Sequence, residues 1–179
     1  MNPTRPFTIE PAKHSDAAGI IAAHVRSIRE VCAKDYSVEQ IAVWSGRDFQ
    51  EYIWREAMDR DDVRVVKSNE TIVGFVHCRV VSETEVVVEG FYLTPEAIGQ
   101  GVGRELLSMI YEALSNRGIE VIRLQSTKTS VGFYRAMGFS TTCESVIEFS
   151  GVKLACFEME NRAPFKHASY RLLTGHRKS

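Results

Sequence analysis

The run most able to do chemistry is Gly99-Gln100-Gly101-Val102-Gly103-Arg104. It follows a β-branched stretch, VVVEGFYL, at residues 86–93 and a short TPEAI link. It opens an apolar-periodic segment carrying Leu106, Leu107, Ile110 and Leu114 on one side. A strand, a glycine-rich turn and a helix N-terminus make an anion cradle. The unpaired N–H groups of the first helical turn point outward, and the helix dipole adds to the attraction. A phosphate or pyrophosphate is the expected occupant. A dinucleotide fingerprint needs a third glycine, but Arg104 or Leu106 stands at that position. A P-loop needs Gly-Lys-Ser/Thr, and Gly103 is followed by Arg104-Glu105.

A second motif lies about thirty residues on: Phe133-Tyr134-Arg135-Ala136-Met137-Gly138-Phe139. In their order and spacing the two motifs resemble those of the GNAT (GCN5-related) N-acetyltransferase family. That family reads Arg/Gln-x-x-Gly-x-Gly/Ala at the first motif. Here Gly101 and Gly103 match, with Ile98 in the leading position. The second motif, Phe-Tyr-x-x-x-Gly-Phe, is complete, with Thr127 and Ser130 where Asn and Ala are frequent. The resemblance spans roughly residues 5–160. It implies an α/β fold with a mixed, mostly antiparallel twisted sheet flanked by helices.

The resemblance also implies acetyl-CoA as acyl donor, with its pyrophosphate over Gly99, Gln100, Gly101, Val102 and Gly103. Gln100 contributes its N–H, and Arg104 adds charge nearby. Backbone N–H groups near Phe91 and Leu93 bind the pantetheine arm and polarise the thioester carbonyl. Tyr134 matches the family tyrosine placed beside the sulfur, where a phenol protonates the departing thiolate. The attacking amine must also lose a proton. Glu85 and Glu89 share a strand face by alternation, and Glu89, nearer the glycine turn, is the preferred base. His77 on the neighbouring strand ranks below it. No cysteine lies in either motif, which fits direct transfer without an acyl-enzyme. The acceptor is an amine-bearing small molecule or a peptide. Two alternatives stay open: a module that holds CoA without turnover, and an interaction protein whose glycines only shape the helix entry.

The elements that must position these groups follow from periodicity. Phe7–Glu10 reads as a strand, followed by a helix capped at Ser15 or Asp16 with His24 on its apolar face. Ser37 and Gln40 form a capping box for a second helix. A third covers roughly Phe49–Met58, with Tyr52, Ile53 and Trp54 as buried candidates. Tyr36, Trp44, Tyr52 and Trp54 are candidates for lining an acceptor pocket or for packing. Strands follow at Val63–Val66 and Thr71–Val81, where Gly74 marks a bulge or a close approach. Val121–Gln125 is reached through a helix, so it is expected to pair parallel to the central strand. A helix over Ser126–Ala136 and a hairpin around Ser150-Gly151 complete the domain near Met159.

A chain of 179 residues suits one core. No apolar run approaches the roughly eighteen residues of a membrane span, and the first residues lack a secretory signature. The four cysteines match no metal-ligand spacing, so no metal is expected. Cys78 and Cys156 fall in strand-like runs as buried thiols. A cytoplasmic protein is the expected setting. Residues 161–179 hold five basic residues and no acid, against a net charge of −1 for the whole chain. The acidic remainder argues against nucleic-acid binding. The basic segment reads as a C-terminal extension, and deleting it is expected to leave the core folded. Its Tyr170, Leu172 and Leu173 are suited to packing on a second subunit, so a homodimer is considered.

Overall fold

The computed structural model describes residues 7–163. Seven strands form one sheet: β1 (Thr8–Pro11), β2 (Asp62–Ser68), β3 (Thr71–Val80), β4 (Glu85–Leu93), β5 (Val121–Thr127), β6 (Ser140–Phe149) and β7 (Val152–Arg162). Their order is β1-β2-β3-β4-β5-β7-β6. Every neighbouring pair is antiparallel except β4 and β5, which run parallel. The helix crossover between them dictates that direction. Among the described residues no helix is long and apolar enough to cross a membrane.

Helix α4 (Val102–Ser115) packs on one sheet face. Its buried Leu106, Leu107, Ile110 and Leu114 recur at helical spacing. Gly118, at φ 75°, ends the following turn, and Ile119 N–H donates to the Leu114 carbonyl. On the other face lie α1 (Ala17–Glu30), α2 (Val38–Ser45) and α3 (Glu51–Arg60). The Ser37–Gln40 capping box forms as its spacing predicts. Helix α3 corrects the expected burial. Tyr52 and Ile53 are exposed, and Trp54, Ala57 and Met58 face the core. Successive helical residues turn by about 100°, so three in a row cannot share one buried stripe. The short helix α5 runs from Val131 to Ala136, and β5 continues through Thr127. The strand therefore takes two residues expected in the helix, because they keep pairing with Phe157 and Cys156 of β7.

Asn161 and Arg162, placed by the sequence in the C-terminal extension, belong to β7. Asn161 is buried and donates to the Tyr111 hydroxyl and the Met137 carbonyl. Residues 164–179 of the expected extension, with Tyr170, Leu172 and Leu173, lie outside the described residues.

His24 does lie on the buried face of α1. Phe49, Phe75 and Tyr92 surround its ring, and neither ring nitrogen has a hydrogen-bond partner among the described residues. Burial, then the nearby Arg47 guanidinium, push its pKa down to about 3. Between that value and the ordinary 6.5, the unfolded chain binds the proton and the folded one does not. Stability is therefore expected to fall as pH drops through this window. In His24→Leu the same slope should flatten, as read from melting temperature against pH. A slope equal to the parent's would assign the acid lability elsewhere.

Candidate active site

Strands β4 and β5 pair only from Glu85↔Val121 to Val88↔Leu124, and beyond that they separate. β4 stays on β3 and β5 stays on β7. The resulting gap opens into a cavity of about 370 Å³. Its walls are the outer half of β4, the end of β5, the N-terminus of α4, α5 and the C-terminal end of α1.

A β-bulge marks where the separation begins. His77 pairs with Gly90 and Cys78 with Val88, so Glu89 is the extra residue in β4. Before it, Val86 and Val88 face the α4 side; after it, Phe91 and Leu93 do so. One inserted residue has re-aimed the strand. The last rung is fixed by Thr94, whose N–H and hydroxyl both donate to the Val73 carbonyl on β3 at 2.9 Å. Backbone groups alternate along a strand. With Thr94 facing β3, the N–H groups of Leu93 and Phe91 face the gap. Gly74 allows this approach: a Cβ there would lie 2.4 Å from Leu93 Cδ2 and 2.8 Å from the Tyr92 carbonyl oxygen. Val73 is itself the extra residue of a second bulge, opposite Val66 and Lys67.

The three motif glycines do different work. Gly99 and Gly101 have φ of 77° and 80°, and a Cβ on either would meet nothing within 4 Å. They turn the chain into α4 and leave the space before its first N–H groups open. Gly103 is buried, and a Cβ on it would lie 3.1 Å from Leu93 Cδ1. Its lack of a side chain brings α4 close to β4. Gly99, Gly101, Gly103 and Arg104 line the cavity. Gln100 is exposed, and the Val102 side chain is in the core, so Val102 offers its N–H alone.

Tyr134 lines the same cavity from α5. Its ring packs edge-on against Phe133 and Phe139, at centroid distances of 5.3 and 5.4 Å. The hydroxyl has no hydrogen-bond partner among the described residues. Burial raises its pKa above the ordinary phenol value, so it remains a neutral O–H. Glu89 also borders the cavity. Its Oε1 accepts from Arg79 Nε at 2.7 Å and from Arg79 Nη2. His77 is turned elsewhere: it bonds Asp61 at 2.7 Å on the α3 side, beside Trp54.

The structure adds residues that the motifs do not announce. Tyr36 and Trp44 pack with Ile28, Cys32 and Leu154. The Tyr36 hydroxyl donates to the Ala155 carbonyl at 2.8 Å and accepts from Lys128 N–H at 3.0 Å. It thereby ties β7 to the β5–α5 loop at the cavity edge. Ser27 and Cys32 line the cavity and are buried. Ser27 stands seven residues after Ile20 and three after His24, so helical phase alone places a hydroxyl on α1's inner face. Burial pushes the Cys32 thiol up to about 11.

The profile of the acetyltransferase (GNAT) domain matches residues 32–161. Among solved structures, a GCN5-related N-acetyltransferase from Rhodopseudomonas palustris superposes with a TM-score of 0.76 at 22% identity, covering 90% of this chain and 98% of that one. PaiA N-acetyltransferase from Thermoplasma acidophilum, solved in complex with coenzyme A, gives 0.70 at 22% identity, with 88% and 99% covered. YncA of Salmonella typhimurium, a putative acetyltransferase solved with acetyl-CoA, gives 0.66 at 20% identity, with 92% and 98% covered. The split sheet, the glycine turn into α4 and the domain match lead to one conclusion: the chain belongs to the GNAT acetyltransferase family.

Proposed function

We propose that the protein transfers an acetyl group from acetyl-CoA to an amine by direct attack. The observation that carries this reading is the gap between β4 and β5. It presents strand N–H groups at one end of a cavity whose other end is a helix N-terminus opened by Gly99 and Gly101. An extended amide-bearing arm with a diphosphate matches that layout. The PaiA and YncA structures, which hold CoA and acetyl-CoA, support the choice of donor.

Each residue then has a task. The first-turn N–H groups of α4, with Arg104 beside them, hold the diphosphate. Leu93 N–H holds the arm, and Phe91 N–H polarises the carbonyl where negative charge develops. Acetyl-CoA supplies an activated acyl carbon and a thiolate leaving group. As the C–N bond forms and the C–S bond breaks, Tyr134 gives its proton to sulfur. Glu89, through its oxygen not held by Arg79, takes the proton from nitrogen directly or through one water. The acceptor is an amine-bearing small molecule or peptide, and the four free cysteines fit a cytoplasmic setting.

Among the described residues Cys32 is the one thiol on the cavity wall. With its pKa near 11, it holds about 10⁻⁴ thiolate at neutral pH. It is therefore expected to be a bystander. Cys32→Ser should keep transfer within about twofold, and intact mass during turnover should show no acetylated enzyme. An acetyl adduct that forms and decays at the turnover rate would establish an acyl-enzyme instead.

The deciding experiment is thiol release from acetyl-CoA across a panel of polyamines, arylalkylamines, amino acids and short peptides, alongside calorimetry with CoA. Acceptor-dependent release supports the enzyme. CoA binding without release from any amine would make the protein a CoA-holding module. No binding at all would leave the glycines as helix-entry residues only.

A further inference from the structure

Strand β4 loses β5 as a partner beyond Val88, yet its outer end follows a defined path. β3 holds one edge of it. The other edge faces the cavity, where the backbone groups of Phe91 and Leu93 are presented. On this edge Ser27 Oγ donates to the Leu93 carbonyl at 2.9 Å. Ser27 is 3% exposed, sits at the start of the last turn of α1 and lines the cavity. Its hydroxyl thus reaches from a helix to the last residue of β4, on the side that β5 has vacated.

We propose that Ser27 is a positioning residue for the acyl donor. It fixes the Leu93 peptide from the open side while Thr94 fixes the next peptide from β3. Together the two bonds set the direction in which Leu93 N–H, and two residues back Phe91 N–H, enter the gap. Fixed donors bind an extended arm without first being ordered. The Ser27 bond also occupies one lone pair of the Leu93 oxygen and leaves the second for an amide N–H of the arm. The inference rests on the acetyl-CoA reading above, because it assigns Ser27 a part in holding that donor. Sequence signals of the cofactor motifs do not reach α1, which precedes them by about seventy residues.

The test compares Ser27→Ala, Ser27→Thr and Ser45→Ala by calorimetry with CoA and by thermal unfolding. Ser45 is a control: it is equally buried on the same layer and accepts from Arg29 Nε at 3.0 Å, but it does not line the cavity. Ser27→Ala is expected to weaken CoA about tenfold. Ser27→Thr should restore most of that loss. Ser45→Ala should lower the melting temperature and leave CoA affinity unchanged. In ¹⁵N spectra of the free proteins, the Leu93 and Phe91 amides should shift in Ser27→Ala and return towards the parent in Ser27→Thr. If Ser27→Ala binds CoA as tightly as the parent, the positioning role is wrong and the acetyl-CoA reading stands. A loss of affinity equal in Ser27→Ala and Ser45→Ala would reduce Ser27 to a stability residue. A parent protein that does not bind CoA would overturn both readings together.

Discussion

Gly101→Val is expected to fold and to bind CoA at least about 100-fold more weakly than the parent. Two effects act in the same direction. Gly101 sits at φ 80°, where a β-branched residue is strained by roughly 1–3 kcal/mol. Its Cβ would project into open space before the first turn of α4. That space is the approach to the N–H groups of Val102, Gly103 and Arg104, which have no partner four residues back. A loss of 100-fold corresponds to about 2.7 kcal/mol; obstruction acts on binding directly, and strain adds to it to the extent that the free turn relaxes out of the binding conformation. Calorimetry with CoA measures the loss, and thermal unfolding shows that the fold survives. Gly103→Ala should behave differently. Its added carbon meets Leu93 inside the protein, so stability should fall first. A folded Gly101→Val protein with parental affinity would remove the diphosphate from this turn.

The second large effect is expected from Tyr134→Phe. The ring packing against Phe133 and Phe139 is retained, and only the hydroxyl goes. Because burial raises the phenol's pKa above the ordinary value, the parent tyrosine is protonated through the neutral and mildly alkaline range. Its activity should therefore show no alkaline loss from this group below the ordinary phenol value of about 10. Without the hydroxyl the departing thiolate has no donor, and the chemical step should slow by about 10²-fold. CoA affinity should change little, since it rests on main-chain groups. Single-turnover measurements across pH isolate the chemical step from product release. An unchanged single-turnover rate would remove the general-acid role, and a large loss of CoA affinity would make the hydroxyl structural.

Much of this architecture was legible in the sequence because its signals are local. The strand–turn–helix around Gly101 and the hairpin at Ser150-Gly151 are written in short-range propensity. So is the capping box at Ser37. The parallel pairing of β5 followed from the crossover that precedes it. What was not legible depends on partners far along the chain. Nothing local distinguishes Glu89 as a bulge residue. It becomes one because Gly90, Phe91 and Leu93 settle against β3, where a Cβ on Gly90 would lie 3.2 Å from the Phe75 ring. The Glu85–Glu89 alternation survived to that point: their arginine partners, Arg123 and Arg79, both stand opposite Val87. The capture of Glu89 by Arg79 could not be read from either residue. Ser27 carried only its helical phase, and Cys32 stands in the short 3-10 turn that follows α1. The buried stripe of α3 was misjudged because its aromatic and β-branched residues are consecutive, and composition outweighed periodicity there.

The second bulge, at Val73, bears on how such a site diversifies. The glycine-turn end of the cavity is defined by where the chain runs: two bulges, a strand that parts from its neighbour, and two glycines at positive φ. Those features are insensitive to most side-chain replacements. Ile98, 45% exposed at the leading position of the glycine motif, is such a replacement, made where the main chain keeps its path. Residues on the opposite wall, by contrast, contribute through their side chains alone. Replacement there, Ser27 apart, changes the lining of the cavity without moving those main-chain groups. The two ends of one cavity can thus vary separately: the main-chain end changes only with the path of the chain, the side-chain end one residue at a time.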